Sequence, residues 1–243
     1  MEALNQLLLP FLSLVSVAEI GRNPTVKDEI AASGSTVSGL MFTYPVHQAA
    51  DILSCRANLV PVGRDQLPHL ELTRTIARRF NERYCPDRPY FAEPQPLLSD
   101  APLLLGTDGQ KMSKSRGNSV PLRATADETA RLIGRAKTDA ERIISYEPRR
   151  RPEVSNLLLL TALCRGCDPG EVADEVGDAG AVALKAAVTA AVNDRFAGIR
   201  ARRAELAADT GYLRSVLAAG NQRASELAAD TLRAVRELMH QSY

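Results

Sequence analysis

Gly106-Thr107-Asp108-Gly109-Gln110-Lys111-Met112-Ser113-Lys114-Ser115-Arg116-Gly117-Asn118 is the stretch on which the reading of this chain turns. Glycines at 106, 109 and 117 make an adaptable backbone. Lys111 and Lys114 are flexible point charges of the kind that suit phosphates. Ser113 and Ser115 add hydroxyl and backbone donors for phosphate oxygens. Cations that close over growing negative charge stabilise a transition state more than its ground state. On composition alone the stretch is equally a solvated basic loop. The literal order K-M-S-K-S, after a Gly-rich turn and before R-G-N, is more specific than composition.

Outward from this loop, the 243 residues suffice for one large domain or a domain with a helical extension. Hydrophobic residues make up 45% and charged residues 24%, as in ordinary globular chains. No apolar run approaches the length of a membrane span. Leu7 to Val17 is apolar but carries Pro10, Ser13 and Ser16 and follows no basic cluster, so it does not read as a signal peptide. Cys164-Arg165-Gly166-Cys167 is a lone CxxC with no second CxxC or His pair, and two reduced thiols are the expectation. A cytoplasmic location follows. The net charge of +1 is no bulk footprint for nucleic acid. Arg149-Arg150-Arg151 and Arg200 with Arg202 and Arg203 are the local basic candidates, each also readable as a solvated helix face.

Composition changes near residue 120. Leu59-Val60-Pro61-Val62-Gly63 looks like a buried strand and its exit loop. A helix is predicted from about Pro68 to Tyr84, with Leu70, Ile76, Ala77 and Phe80 at near-helical spacing. Cys85 to Pro102 carries five prolines and reads as loop or extended chain. This pattern fits an α/β layered domain over residues 1–120. Residues 121–243 read as an α-helical domain. Thr125 caps a helix with Asp127 and Glu128 in its first turn. Ala181 to Ala208 is helical, and Gly211 to Met239 is one or two helices broken near Gly220-Asn221.

Two further stretches carry chemistry. In Thr43-Tyr44-Pro45-Val46-His47-Gln48-Ala49-Ala50-Asp51, a helix over Val46 to Leu53 puts Pro45 in a favoured first-turn position. His47, Gln48 and Asp51 then lie near one face. Asp51 among apolar neighbours needs a donor, and on spacing alone an Arg or a backbone N–H serves as well as a ligand. Val60 to Gln66, with His69 and Glu71 beyond, ends the strand where open α/β sheets bind ligands. Gly63 permits close backbone approach, and Asp65 and Gln66 can take hydroxyl or ammonium protons.

Together the three stretches resemble tryptophanyl-tRNA synthetases of the bacterial type. K-M-S-K-S is similar to the second signature of class I aminoacyl-tRNA synthetases. Val60 to Arg74 resembles that family's V-P-V-G-x-D-Q-x-x-H-x-E-L-T-R, and T-Y-P-x-x-Q-A-A-D-I and Arg22-Asn23-Pro24-Thr25-Val26-Lys27 resemble it too. Tyrosyl-tRNA synthetases share the fold and the Y-P-x-x-Q theme, but the position of Asp51 fits the tryptophan enzymes better. The fold implied is α/β: the C-terminal half of a Rossmann-like catalytic domain, then an α-helical, anticodon-binding-like domain. The activity implied is tryptophan–tRNA ligase. By the resemblance Lys111 and Lys114 handle the ATP phosphates as catalytic residues. Gly63, Arg64, Asp65, Leu104, Met112, Ser113 and Ser115 complete the ATP site. Asp51 accepts from the indole N–H, Tyr44 and Gln66 hold the substrate ammonium, and Gln48 joins the substrate site. ATP with Mg²⁺ is implied as substrate and counter-ion, with no tightly bound cofactor and no protein metal site. Tryptophan, ATP and tRNA(Trp) are the implied partners, with a homodimer or an N-terminal companion chain and no membrane.

One family feature is not found. The first, HIGH-like signature has no counterpart, and Met1 corresponds to the middle of an intact synthetase. Two alternatives to an active ligase therefore stand. One is a truncated paralogue that binds ATP or an amino acid as a regulatory, partner-binding or biosynthetic module. The other is a helical interaction protein with vestigial motifs.

Overall fold

The computed structural model describes residues 2–33, 37–99, 101, 103–112 and 116–241. The chain divides into two compact units, one of residues 1–102 with 214–243 and the other of residues 103–213. The sequence places its boundary near residue 120. The observed division falls earlier because the Gly-rich turn is tied to the helices that follow it: Leu105 N–H donates to Asn156 Oδ1 at 2.8 Å and Lys137 N–H to the Thr107 carbonyl at 2.7 Å. The C-terminal helix returns to the first unit, which sequence periodicity does not reveal.

The first unit holds α1 (Glu2–Leu12), α2 (Val17–Arg22), α3 (Pro24–Ser33), α4 (Gly39–Ser54), β1 (Leu59–Pro61), α5 (Leu67–Tyr84) and β2 (Gln95–Leu97). Strands β1 and β2 pair in parallel, Leu59 opposite Gln95 and Pro61 opposite Leu97. β2 arises inside the Pro-rich stretch, where the missing Pro N–H groups hide a strand from propensity. The core gathers Leu7, Phe11, Val46, Ala49, Leu53, Ile76, Phe80 and Phe91, with Ala228, Leu232 and Val235 from α10 (Thr210–Leu238). Phe11 and Phe80 both meet Phe91 edge-on, with ring centroids 5.8 and 5.1 Å away. Asn81 fixes the loop that carries Phe91, donating to its carbonyl at 2.8 Å and accepting from the Tyr90 and Phe91 amides.

Helix α4 corrects a sequence expectation. It starts at Gly39, capped by the Ser38 hydroxyl, which accepts from the Met41 amide at 3.1 Å. Pro45 is therefore inside the helix, where it removes one backbone donor, and not in its first turn. The amphipathic continuity of Val46, Ala49, Ala50 and Leu53, all buried, outweighs that loss.

The second unit packs α6 (Ala126–Gly134), α7 (Pro152–Arg165), α8 (Pro169–Val176) and α9 (Gly180–Ala208) around Ile133, Val154, Leu158, Val172, Leu184 and Val188. Thr125 and Glu128 form the reciprocal cap that opens α6, with hydroxyl-to-amide and carboxylate-to-amide contacts of 3.1 and 2.8 Å. Helix α10 runs unbroken through Gly220 and Asn221, against the expected break. A glycine in a helix interior costs about 1 kcal/mol against alanine, which a long helix absorbs. Among the described residues no helix is long and apolar enough to cross a membrane.

One acidic side chain makes the first unit sensitive to pH. Glu19 caps α2 with Ser16 and reaches Arg79 on α5, whose Nη1 also donates to the Leu14 carbonyl at 2.7 Å. The Arg79 hydrogen bond, followed by those from Ser16, lowers the Glu19 carboxyl from 4.5 to about 2. A depressed carboxylate contributes stability above its unfolded value and loses it as pH falls through the folded value. The Glu19 contribution is thus lost between pH 4.5 and about 2. Urea midpoints of the parent should exceed those of Glu19→Gln at neutral pH and converge with them in that window. A gap that stays constant across the window would refute this role for Glu19.

Candidate functional site

The substrate candidates of the first unit come from α4 and the end of β1. Tyr44, Gln48 and Asp51 follow one another at helical spacing on α4. Gln48 Nε2 donates to Gln66 Oε1 at 3.2 Å, and Gln66 Nε2 donates to Asp65 Oδ2 at 3.1 Å. The structure thus brings together Gln48, Gln66 and Asp65, which are far apart in sequence. Asp51 is exposed; its carbonyl accepts from the Ser54 hydroxyl at 2.9 Å, and among the described residues no hydrogen bond or ion pair engages its carboxylate. Its neighbour His47 turns to Asn5 Oδ1 at 3.2 Å.

Gly63, Arg64 and Asp65 lie where β1 exits, and Arg64 to Gln66 form a single 3-10 turn. Arg64 and Asp65 are exposed. The φ of Gly63 is −77°, which any residue adopts, so the absent side chain and not the backbone distinguishes this glycine. His69, named with this stretch in the sequence, meets two residues that spacing did not connect to it. His69 is buried, 3.2 Å from the Tyr44 hydroxyl through Nε2 and 3.4 Å from Asn23 Nδ2 through Nδ1. A His in the first turn of α5, three positions after Gln66, was the available signal.

In the second unit, the Gly-rich turn is tightly built. Leu105 and Lys111 bridge antiparallel, and the Gly106 amide donates to the Gln110 carbonyl at 2.8 Å. Asn118 is buried and spans the turn, donating to Asp108 Oδ1 at 2.8 Å and to the Lys111 carbonyl at 3.1 Å. The Gln110 amide, followed by the Asn118 amide group, holds the Asp108 carboxyl below the usual range. Gly109 has φ +79°, and a Cβ there would meet Glu153 Cγ at 2.7 Å. Glu153 is pinned by Lys137 Nζ at 2.8 Å. These glycines therefore serve close packing and a left-handed turn, and the adaptability expected of Gly106 and Gly109 is not what the structure uses. Lys111 and Met112 are exposed as they leave the turn. Ser113, Lys114 and Ser115 lie outside the described residues. Leu104 is half-buried, and with Met112, Leu157 and Phe196 it lines a largely apolar cavity of about 320 Å³.

The basic candidates change character. Arg151 is buried and bound to Asp139, and Arg150 pairs with Glu141 and Glu147. Of the triple-arginine run, Arg149 alone is exposed without a carboxylate partner among the described residues. Arg200 turns inward to Thr129 Oγ1 at 2.9 Å and Asn193 Oδ1 at 2.8 Å, and Arg202 pairs with Glu205. Cys164 and Cys167 are half-buried free thiols against the second core, and burial pushes the Cys164 thiol up. Among the described residues no cluster of three His, Cys, Asp or Glu groups could hold a metal ion.

Comparison with known proteins identifies the family. The family model for class I tRNA synthetases (W and Y) matches residues 2–197. A tryptophan–tRNA ligase of Nostoc sp. is 38% identical, with 86% of this chain and 64% of the relative covered. One from Streptococcus pyogenes serotype M1 is 37% identical, covering 99% of this chain and 73% of the relative. The chain thus spans about two thirds to three quarters of the length of these relatives. The Campylobacter jejuni tryptophanyl-tRNA synthetase, solved with ADP and tryptophan, superposes with a TM-score of 0.74 at 25% identity, over 98% of this chain and 74% of that one. The helix-rich units with their small parallel sheet are accordingly part of a Rossmann-like class I synthetase fold with its helical region. The chain belongs to the class I tRNA synthetases for tryptophan and tyrosine, on the bacterial tryptophan–tRNA ligase side of that family.

Proposed function

We propose that the chain performs the tryptophan–tRNA ligase reaction, forming tryptophanyl-adenylate from tryptophan and ATP and passing the aminoacyl group to tRNA(Trp). The tryptophan carboxylate attacks the α-phosphate, and negative charge grows on the departing pyrophosphate. Lys111 and Lys114 neutralise that charge as it develops. Tyr44 and Gln66 receive the ammonium, and Asp51 accepts the indole N–H, a donor with no acceptor function. Gly63, Arg64, Asp65 and Leu104 line the adenosine site. Met112, Ser113 and Ser115 complete the loop. Gln48 orients Gln66 through the bond between their amides. Mg²⁺ arrives on the ATP phosphates as their counter-ion. A second copy or a companion chain is the expected partner.

The observation that carries this reading is Asp51. It stands one helical turn from the Gln48–Gln66 pair with its carboxylate engaged by nothing among the described residues. Among the described residues neither an arginine nor a backbone N–H, the alternatives open on spacing, meets that carboxylate. Tryptophan-dependent ATP–pyrophosphate exchange on the chain tests the proposal. Asp51→Ala should weaken tryptophan by about 100-fold while leaving ATP binding intact, because a site built around a hydrogen bond discriminates strongly. No exchange above background would sink the ligase reading. Calorimetric binding of tryptophan or ATP without exchange would favour a binding module instead.

A further inference from the structure

We propose that Asn156, on α7, is a positioning residue for Lys111: its side-chain amide lies beside Leu105 as a third strand would, and so fixes the paired segments that carry Lys111. The role rests on the reading of Lys111 as a group that neutralises charge on the departing pyrophosphate, whereas the backbone arrangement beneath it is independent of that reading.

Leu105 and Lys111 face each other in an antiparallel bridge. The bond beside that pair runs from the Gly106 amide to the Gln110 carbonyl at 2.8 Å. Bonded and non-bonded pairs alternate along an antiparallel ladder, so the amide and carbonyl of Leu105 itself point away from Lys111. Left alone they would be a bare strand edge. Asn156 meets both of them. The Leu105 amide donates to Asn156 Oδ1 at 2.8 Å, and Asn156 Nδ2 donates to the Leu105 carbonyl at 3.2 Å. A backbone amide only donates and a carbonyl only accepts, so the same two contacts fix which terminal atom of Asn156 is the oxygen.

The surroundings make these bonds firm. Asn156 is half-buried, and Leu104, Leu157 and Leu160 line the same largely apolar cavity. In such a place a paired backbone group is held strongly and an unpaired one is costly. On propensity alone asparagine is a poor residue for a helix interior. Its amide here serves a segment 51 positions earlier and not its own helix. One turn earlier on α7, Glu153 lies under Gly109, with Cγ 2.7 Å from where a Cβ there would stand. Lys137 holds Glu153 through Nζ at 2.8 Å and the Thr107 carbonyl through its own amide at 2.7 Å. Helix α7 thus meets the turn at its tip with Glu153 and at its base with Asn156. The contact at the base is the one that bears on Lys111, because Leu105 is bridged to that residue and passes any shift to it.

Amide hydrogen exchange, followed by nuclear magnetic resonance on the whole chain, reads the arrangement. Asn156→Leu should speed exchange at the Leu105 amide by at least about tenfold. An unchanged rate overturns the proposal. Tryptophan-dependent ATP–pyrophosphate exchange reads the consequence. Its kcat should fall about 30-fold in Asn156→Leu, since a misplacement of about 1 Å costs on the order of 100-fold. KM for tryptophan should stay unchanged and KM for ATP should move by less than about threefold, as when an interaction made in the transition state is lost. In a Lys111→Ala background Asn156→Leu should lower kcat no further. An equal fall with and without Lys111, or a loss carried by KM for tryptophan, overturns the positioning role. Should Asn156→Leu not fold, Asn156→Asp decides. It keeps the shape and an acceptor for the Leu105 amide but sets a carboxylate oxygen against the Leu105 carbonyl, so kcat should fall by a comparable factor. Asn156→Asp as active as the parent overturns the proposal. Lys111→Ala exchanging as fast as the parent, or a parent without exchange, overturns the reading of Lys111 and the positioning role with it. The Leu105 amide rate distinguishes that failure from a failure of the Asn156–Leu105 arrangement.

Discussion

Replacing Arg151 by alanine is expected to destabilise the second unit by about 3–5 kcal/mol, the usual cost of removing one partner from a buried, hydrogen-bonded ion pair. The guanidinium side chain is only 2% exposed. Its five N–H donors meet five acceptors. Nε donates to Asp139 Oδ2 at 2.7 Å, and Nη2 to Asp139 Oδ1 at 2.6 Å and the Glu141 carbonyl at 3.4 Å. Nη1 donates to the Ile143 carbonyl at 2.6 Å and to Ser145 Oγ at 2.9 Å. Alanine would leave Asp139 without its counter-charge and release the segment from residue 139 to 145. That segment places Ile144 in the core and ties its amide to the Gly177 carbonyl at 2.8 Å. Lysine restores the charge but not the planar fork, so Arg151→Lys should recover less than half of the loss. Arg149→Ala, on an exposed side chain of the same run, should change stability by no more than about 0.5 kcal/mol. Urea unfolding followed by circular dichroism measures all three. An Arg151→Ala variant within about 1 kcal/mol of the parent would show that the network does not hold the unit together.

The contrast between Arg149 and Arg151 marks where sequence reading stops. Three adjacent arginines read as a charged face, and only the chain path tells which one turns inward. Local features were legible. The Thr125–Glu128 cap and the helix ending at Tyr84 follow from nearest-neighbour chemistry, whereas the run from Leu59, read as a buried strand, forms a three-residue strand whose two ends are exposed. The K-M-S-K-S order pointed to the family before any coordinates, because a literal motif carries more information than periodicity. Pairings across the fold were not legible. Gln48 and Gln66 meet only because α4 and the exit of β1 pack side by side. Asn23 reaches His69 across 46 positions for the same reason. The start of α4 was misplaced because Pro45 looked like a boundary, whereas a buried apolar stripe kept the helix intact. The chain division was misplaced because hydrogen bonds from Asn156 and Lys137, not composition, decide to which unit the Gly-rich turn belongs.

Gly106→Ala is the single-methyl substitution expected to cost most in catalysis. The φ of Gly106 requires no glycine; the space does. A Cβ at this position would sit on Cγ and Nδ2 of Asn118 and 2.8 Å from the Asn118 carbonyl oxygen. Asn118 cannot step aside cheaply. It is 3% exposed, its Nδ2 holds Asp108 and the Lys111 carbonyl, and its own carbonyl accepts from the Thr107 amide at 2.8 Å. Relieving the clash therefore means breaking the bonds that fix where Lys111 leaves the turn. Catalysis by positioned charge is sensitive to such shifts: a misplacement of about 1 Å costs on the order of 100-fold. ATP–pyrophosphate exchange by Gly106→Ala should fall by about that factor. Tryptophan binding should not change, because its proposed ligands Tyr44, Asp51 and Gln66 belong to the other unit. Asn118→Ala separates the two contributions. It removes the side chain that Gly106→Ala would strike, and it also removes the bonds to Asp108 and Lys111. If those bonds are what positions the lysine, Asn118→Ala alone should lose exchange as severely as Gly106→Ala, and the double variant should lose little more. If exchange in Asn118→Ala matches the parent, the turn does not position Lys111 through Asn118. The glycine at 106 would then answer only to packing.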